Sequence, residues 1–262
     1  MILNVETTDR IATVTLNRPD KKNALSLEMF EALTQAGEAL AQDGDLRAVI
    51  LTGAGDSFCA GLDLTAMQSL APRLTEVRQQ LVTPASGGAN WFQRPCRVWQ
   101  ELDVPVIAAI EGHCLGGGLQ LALAADFRFA APNATFSIME AKWGLIPDMG
   151  ITTNLPALMR ADQAKELMMT ARVLNADQAG EYGLITRLCA DPKAEALEFA
   201  HSLMQKSPDA ISGIKRLVEQ CWNGDPHSTL KLEAEIQAGI MGHPNQIEAV
   251  VANIQKRAPK FK

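Results

Sequence analysis

Two stretches of the chain run apolar for four or five residues and then end in glycines. The first is Val49 to Thr52, followed by Gly53-Ala-Gly-Asp-Ser-Phe-Cys-Ala-Gly61; the second is Val106 to Ile110, followed by Glu111-Gly-His-Cys-Leu115 and Gly116, Gly117 and Gly118. Short β-branched runs of this kind read as buried strands. Leu119 to Ala125, rich in Leu and Ala without a breaker, reads as a helix. The second stretch therefore predicts strand, tight turn, helix. Its glycines fall in the first helical turn, whose N–H groups lack intrahelical partners and carry the positive end of the helix dipole. Such a place suits an anion or a developing oxyanion, although three glycines also permit close strand–helix packing. It is no phosphate-binding P-loop, since no Gly-Lys-Ser/Thr follows, and Gly-x-Gly-x-x-Gly is not present in register.

The remaining pattern surrounds these stretches. Leu3 to Thr7 and Ile11 to Leu16 alternate as strands, with Asp9-Arg10 as their turn. After a polar loop at Pro19 to Asn23, Ser26 caps a helix running to about Asp43, with Leu27, Phe30, Leu33 and Leu40 on its apolar face. Leu64 to Val104 is a long helical region broken near Pro72 and again around Pro84 to Asn90, and Phe127 to Ala130 is a further strand. From Ala161 onward helices dominate: Ala161–Thr170, Ala176–Glu181, Asp191–Lys206, Asp209–Trp222, Pro226–Met241 and Pro244–Gln255. The strand, strand, helix order recurs, which makes this an α/β protein.

With 262 residues, 47% hydrophobic and 21% charged, the chain can bury a sizeable core as one main domain with a helical appendage. A net charge of −6 and a pI near 5.3 argue against nucleic acid or an anionic membrane surface as the main partner. The N-terminus has no basic region leading into an apolar one, and no apolar run reaches about 18 residues. A complete cytoplasmic protein is expected. The five cysteines Cys59, Cys96, Cys114, Cys189 and Cys221 make no Cys-x-x-Cys pair and read as reduced, mostly buried small hydrophobes. Cys59 and Cys114 lie near the candidate oxyanion donors, yet no partner arrangement marks either as a nucleophile. The histidines show no ligand spacing, so no metal is expected.

The two glycine-rich stretches, with Leu16-Asn-Arg-Pro-Asp-Lys-Lys-Asn-Ala-Leu25, Phe136 to Asp148 and Ala179 to Ile185, together resemble the crotonase superfamily of enoyl-CoA hydratases and isomerases over nearly the whole chain. The resemblance implies a crotonase-like spiral of ββα turns over residues 1–200. It also implies a C-terminal helical trimerisation region over 201–262, in a homotrimer or dimer of trimers. The implied ligand is an acyl-CoA thioester, with coenzyme A as part of the substrate and no separate cofactor. By the motif match, Ala60 and Gly117 supply backbone N–H groups to the thioester oxygen. The loops holding Lys22, Ala24, Ala60, Gly61, Asp63 and Leu64 then line the coenzyme A site, beside Gly116, Gly117 and Gln120. Lys22, Lys256 and Lys260 are candidate phosphate contacts or solvated surface lysines, and Met67, Leu70, Leu74, Trp91 and Phe92 are candidate acyl-pocket or core residues.

The carboxylates depart from the hydratase pattern. Hydratases of the family carry two glutamates, and the first of these positions is Gln120 here, an amide that cannot exchange a proton near neutral pH. The second is Glu140. Asp148 stands eight residues later, where hydratases usually have glycine, and this pair resembles the dienoyl-CoA isomerase branch, which also has an aspartate at the position of Gln120. The aryl-CoA dehalogenases share a carboxylate at the position of Asp148 but need an aromatic group where Glu140 stands. The expectation is a double-bond isomerase with Glu140 as principal base and Asp148 as second acid, the latter suiting a helix N-cap equally well. Hydration of a 2-enoyl-CoA by Glu140 with Gln120 orienting water is the alternative, and a non-catalytic acyl-CoA-binding or RNA-binding homologue is a third.

Overall fold

The protein is described here from a computed structural model covering residues 1–84, 88–222 and 224–262. The chain opens with an antiparallel hairpin, β1 (Leu3–Thr8) and β2 (Ile11–Leu16), turned at Asp9-Arg10. Both turn residues have positive φ, 50° and 66°, the geometry that matches the twist of the flanking strands. The Ser26 hydroxyl accepts from the Met29 N–H and starts α1 (Leu27–Leu40), which stops short of Asp43. Its buried face is Met29, Phe30, Leu33, Gly37 and Leu40, with Leu27 only half-buried.

Next come β3 (Ala48–Gly53), α2 (Leu64–Leu70), α3 (Leu74–Val82), α4 (Arg94–Gln100) and β4 (Val106–Ile110). The break near Pro72 separates α2 from α3. The break at Pro84 to Asn90 separates α3 from α4, and its residues 85–87 lie outside the described residues. Then follow β5 (His113–Leu115), α5 (Gly117–Leu123), β6 (Phe127–Ala130), β7 (Thr135–Ser137), α6 (Ile151–Asn154), α7 (Ala161–Thr170), β8 (Leu174–Asn175), α8 (Ala176–Glu181) and β9 (Arg187–Leu188). The chain ends in α9 (Pro192–Met204), α10 (Pro208–Cys221), α11 (Pro226–Ile240) and α12 (Pro244–Ile254). The predicted strand, turn and helix around Gly116 omitted β5, which is too short and too mixed in polarity to stand out, and α5 begins inside the glycines.

Two sheets result. The larger has the order β1-β2-β3-β4-β6-β9, parallel from β2 onward, and the smaller has the order β5-β7-β8. Isolated parallel bridges join Cys59 to Cys114 and Leu25 to Leu62, so the segment after β3 runs along the edge of the small sheet. Each turn of the chain thus lays one strand in the large sheet and a short one across it, then adds a helix. This is the spiral of ββα turns.

The central strands are apolar throughout because both faces are covered. Val49 and Leu51 of β3, with Val106, Ala108 and Ile110 of β4, face the main core beneath α1, α4 and α5. Ile50, Ile107 and Ala109 face the other way, against Ala196 and Ala200 of α9. Each large apolar side chain removed from water in this way contributes about 1.5–3 kcal/mol. The C-terminal helices are pinned to this frame by Lys215 of α10. Its buried ammonium contacts Asp126 at 2.9 Å and donates to the Val104 carbonyl at 3.0 Å. Asp126 in turn accepts from the Val106 N–H at 2.7 Å, at the start of β4.

Candidate active site

The floor of the site forms where the 59–62 segment meets the N-terminus of α5. Their separation is set by missing side chains: a Cβ at Gly118 would fall 2.5 Å from the Cys59 carbonyl oxygen, and one at Gly61 would fall 2.8 Å from that of Leu115. Gly116 also sits at φ 52°, ψ −124°, where an L-residue is strained. The backbone donors can then be accounted for one by one. Cys59 N–H donates to the His113 carbonyl and Ala60 N–H to the Lys22 carbonyl at 2.9 Å, while the Gly61 N–H lies toward the Cys59 sulfur and slightly offsets the rise in its pKa. Asp63 N–H donates to Leu25. Leu62 N–H and Gly117 N–H, the latter at the open end of α5, have no acceptor among the described residues.

This corrects the expectation for Ala60, whose N–H is committed to holding the Lys22 loop. The parallel bridge between Leu25 and Leu62 turns the Gly61 carbonyl and the Asp63 N–H toward Leu25 and so leaves the Leu62 N–H facing the other way. The unpaired partner of Gly117 is therefore Leu62, two residues on. Because only backbone is involved, no side chain in the sequence marked it.

Asp63 also has a different task from the one expected. Its buried carboxylate accepts from the Thr65 hydroxyl at 2.7 Å and from the Thr65 N–H, capping α2, and pairs with Arg18 at 2.8 Å. These hydrogen bonds, Thr65 first, pull its pKa down to about 2. Arg18 also donates to the Ala24 carbonyl at 2.6 Å, so one guanidinium fixes both loops proposed for coenzyme A. Arg18 lay in a quoted motif without an assigned role. Lys22 keeps its ammonium near the rim, 2.6 Å from Asp56, and Leu64 stays half-exposed at the start of α2.

The chain end that carries Lys260 lies away from this floor. The tail is fastened by Arg47 to the Lys262 carbonyl and by Lys260 N–H to Glu248. Arg47 precedes β3, at the end of the sheet opposite the 54–62 loop, about 20 Å away along six residues of strand. Trp91 and Phe92 likewise belong to a cluster on Phe30, with Trp91 stacked at 5.4 Å and 8°. Met67 and Leu70 are half-buried and Leu74 is exposed. Burial pushes the Cys59 thiol up to about 12 and that of Cys114 well above its ordinary value, so neither supplies a thiolate near neutral pH.

The carboxylates stand over the floor. The chain leaves β7 into a single turn, Glu140–Trp143, ended by Gly144 at φ 73°. Because Gly116 N–H donates to Ser137 at the end of β7, that turn is held against α5; a Cβ at Gly116 would lie 3.5 Å from Oε1 of Glu140. Gln120, buried in α5, donates from Nε2 to Oε1 of Glu140 at 2.7 Å and accepts at Oε1 from the Met149 N–H at 2.8 Å. Oε2 of Glu140 is buried without a hydrogen-bond partner. Loss of hydration raises the Glu140 pKa above the usual carboxylate range, and the negative charge of Asp148 adds to the rise.

Asp148 is accessible to solvent, yet enough protein surrounds its carboxyl that desolvation raises its pKa as well. It caps no helix: α6 has Gly150 at its N-cap, with no side-chain cap bond. The site thus joins two backbone donors to two carboxyls that protonate more readily than usual. Among the described residues no group of three or more His, Cys, Asp or Glu side chains gathers to hold a metal ion.

Such an assembly, donors for an oxyanion beside carboxyls able to hold or release a proton, defines a carbon-acid or thioester-activating enzyme class. The family model described as enoyl-CoA hydratase/isomerase matches residues 6–262, and the chain belongs to that family. It is 33% identical to enoyl-CoA hydratase EchA19 of Mycobacterium tuberculosis, over 98% of this chain and 95% of that protein. It is 30% identical to the peroxisomal Delta(3,5)-Delta(2,4)-dienoyl-CoA isomerase of Arabidopsis thaliana, over 99% and 95%. Among solved structures, the enoyl-CoA hydratase of Bacillus anthracis matches with a TM-score of 0.91 and 32% identity, over 100% of this chain and 99% of that one. The crotonase fold is thereby shown. No described helix is long and apolar enough to cross a membrane.

Proposed function

We propose that the protein shifts a double bond in an enoyl- or dienoyl-CoA. The observation that carries this reading is the pair of protonatable carboxyls, Glu140 and Asp148, beside an amide at Gln120. The thioester carbonyl accepts from the Leu62 and Gly117 N–H groups. Glu140 removes a proton next to the thioester or vinylogous to it and the electron pair moves onto the thioester oxygen as a dienolate. Either Glu140 returns that proton further along the chain, or a protonated Asp148 delivers its own, after which Glu140 loses a proton to solvent and Asp148 regains one. Burial suits Glu140 to this work, because a base with a raised pKa binds a proton more strongly than an ordinary carboxylate does. The coenzyme A moiety follows the loops around Lys22 to Ala24 and Gly61 to Leu64.

A homotrimer or dimer of trimers is the proposed assembly. Large apolar side chains left open on the single chain support it: Ile146, Met169 and Val173 are 76%, 75% and 54% exposed, and Ile254 of α12 is 76% exposed. Hydration of a 2-enoyl-CoA is the second reading. It is favoured by relatives named as hydratases, such as EchA19 and the crotonyl-CoA hydratase of Syntrophomonas wolfei. Against it stands the amide at Gln120, whose oxygen is already bonded to Met149.

The test offers purified protein a 3,5-dienoyl-CoA in one cuvette and a 2-enoyl-CoA in another. Growth of the conjugated 2,4-dienoyl absorbance, reduced about 10²- to 10⁴-fold in Glu140→Gln and about 10- to 100-fold in Asp148→Asn, is the expected result. Loss of the 2-enoyl absorbance with no dienoyl conversion would replace isomerisation by hydration.

A further inference from the structure

We infer that Gln120 is a positioning residue that ties Glu140 and the loop bearing Asp148 into one unit and leaves Oε2 of Glu140 as the atom that moves the proton. The proposal rests on the isomerase reading and adds to it which atom works and what aims it. The orientation of the amide follows from its partners. Met149 N–H can only donate, so the Gln120 oxygen faces it at 2.8 Å, and the amide nitrogen is thereby turned to Oε1 of Glu140 at 2.7 Å. Gln120 is 2% exposed, so water does not compete for either bond. Of the two Glu140 oxygens, one is fixed by this amide and the other is buried with no partner.

The clamp reaches all parts of the site. Gln120 is the fourth residue of α5, whose first residue is Gly117, so the same helix turn offers the oxyanion donor and holds the base. Met149 follows Asp148 directly, and its sulfur would lie 2.8 Å from a Cβ at Gly117, so the Asp148 loop is seated on the floor as well as bonded to Gln120. In the proton transfer a C–H bond of the substrate breaks, an O–H bond forms at Oε2, and the electron pair passes to the thioester oxygen; return of the proton at another carbon reverses each change. Oε1 keeps its bond from Nε2 throughout.

The donor character of the amide matters for charge. A bond donated to Glu140 favours its ionised form and so opposes the rise caused by burial and by Asp148. Around Glu140, α5 brings no charged side chain and the 144–150 loop brings only Asp148. On α7, Asp162 and Glu166 are paired with Arg160 and Arg172, and Lys165 is exposed. A carboxylate at 120 would keep the Met149 bond but replace a donor by an acceptor, whereas methionine, of similar length, would lose both bonds.

The experiment compares the intact protein with Gln120→Glu and Gln120→Met, each checked for folding by circular dichroism. The Glu140 side chain is followed by 13C NMR, its signal assigned with Glu140→Gln, and Met149 amide exchange is measured without substrate. The Glu140 titration is expected to move to higher pH in both variants. Met149 exchange is expected to quicken roughly tenfold in Gln120→Met and hold in Gln120→Glu. With the dienoyl-CoA, kcat should fall about 10- to 100-fold in Gln120→Met while KM changes little, and the acidic limb of the Gln120→Glu profile should move up in pH. Unchanged titration and exchange in folded Gln120→Met would overturn the clamp. If no thioester is turned over by the parent protein, the isomerase reading fails, while the two substrate-free measurements still decide whether Gln120 holds Glu140 and Met149.

Discussion

Gly117 and Gly118 are fully buried where the floor of the site meets the 59–62 segment, whereas Leu145 and Ile146, on the loop that carries Asp148, are 51% and 76% exposed. The floor is backbone, fixed by close packing and by Arg18 and Asp63. The wall above it is two side chains on short irregular segments, joined to the floor by Gln120. On the proposed reading this floor, closed to side chains at Gly61 and Gly118, serves the thioester group that every substrate shares. Reaction choice then falls to the wall, where one amide in place of a carboxylate changes which protons can move.

Replacing the wall's base should give the largest effect. Glu140→Gln keeps the shape and an acceptor for Gln120 but removes the proton carrier, and kcat on the dienoyl-CoA should fall by about 10²–10⁴. The rate of the parent protein should also fall as pH drops through the raised Glu140 pKa, because only the ionised carboxylate accepts a proton. A profile whose acidic limb lies at or below the ordinary glutamate value would contradict the burial of this group.

The floor can be tested by removing single N–H groups through amide-to-ester substitution. At residue 62 the loss should lower kcat by roughly 10²–10³ with little change in stability, since this N–H has no acceptor among the described residues. At residue 60 the same change should destabilise the protein by about 1 kcal/mol through the bond to Lys22, with a smaller effect on turnover. The reverse ranking would return the donor role to Ala60. A related probe is Asp63→Ala, which should lower stability by more than the lost α2 cap alone, about 1 kcal/mol, because Arg18 also loses its buried partner. Because the folded pKa of Asp63 is depressed from 3.8 to about 2, its stabilising contribution is present above pH 3.8 and disappears as pH falls through about 2.

The contrast between floor and wall also explains what the sequence made legible. Strands β3 and β4 announced themselves because both faces are buried, and Ser26 lies at the start of α1 as its capping role requires. Glu140, Gln120 and Asp148 became candidates through the positions they share with the family's motifs, which residue type alone would not have marked. Leu62 was not, since a backbone donor leaves no side-chain signature and only the bridge to Leu25 shows which N–H is free. Arg18 and Met149 were hidden for a related reason: their partners Asp63, Gln120 and Gly117 are distant in sequence and adjacent only once the spiral closes. The two-residue strands β8 and β9 are too short to carry a period.

The smallest expected effect separates the wall's chemistry from its contribution to the fold. Glu140 has an oxygen buried without a partner and a pKa raised on folding, so its ionised form is less well accommodated in the native protein than in the unfolded chain. For an acid whose pKa rises on folding, the native state holds the proton more tightly. The penalty is absent below the unfolded value, grows as pH rises between the unfolded and folded values, and is fully present above both. Glu140→Gln should therefore raise Tm modestly at pH 8, and this gain should vanish toward pH 4, where the parent carboxyl is already protonated. Thermal unfolding of both proteins across that range measures it. A gain at pH 8 alongside lost turnover would identify Glu140 as a group kept against stability for its chemistry, whereas a loss of Tm at pH 8 would mean that the carboxylate is held by contacts that favour its charge.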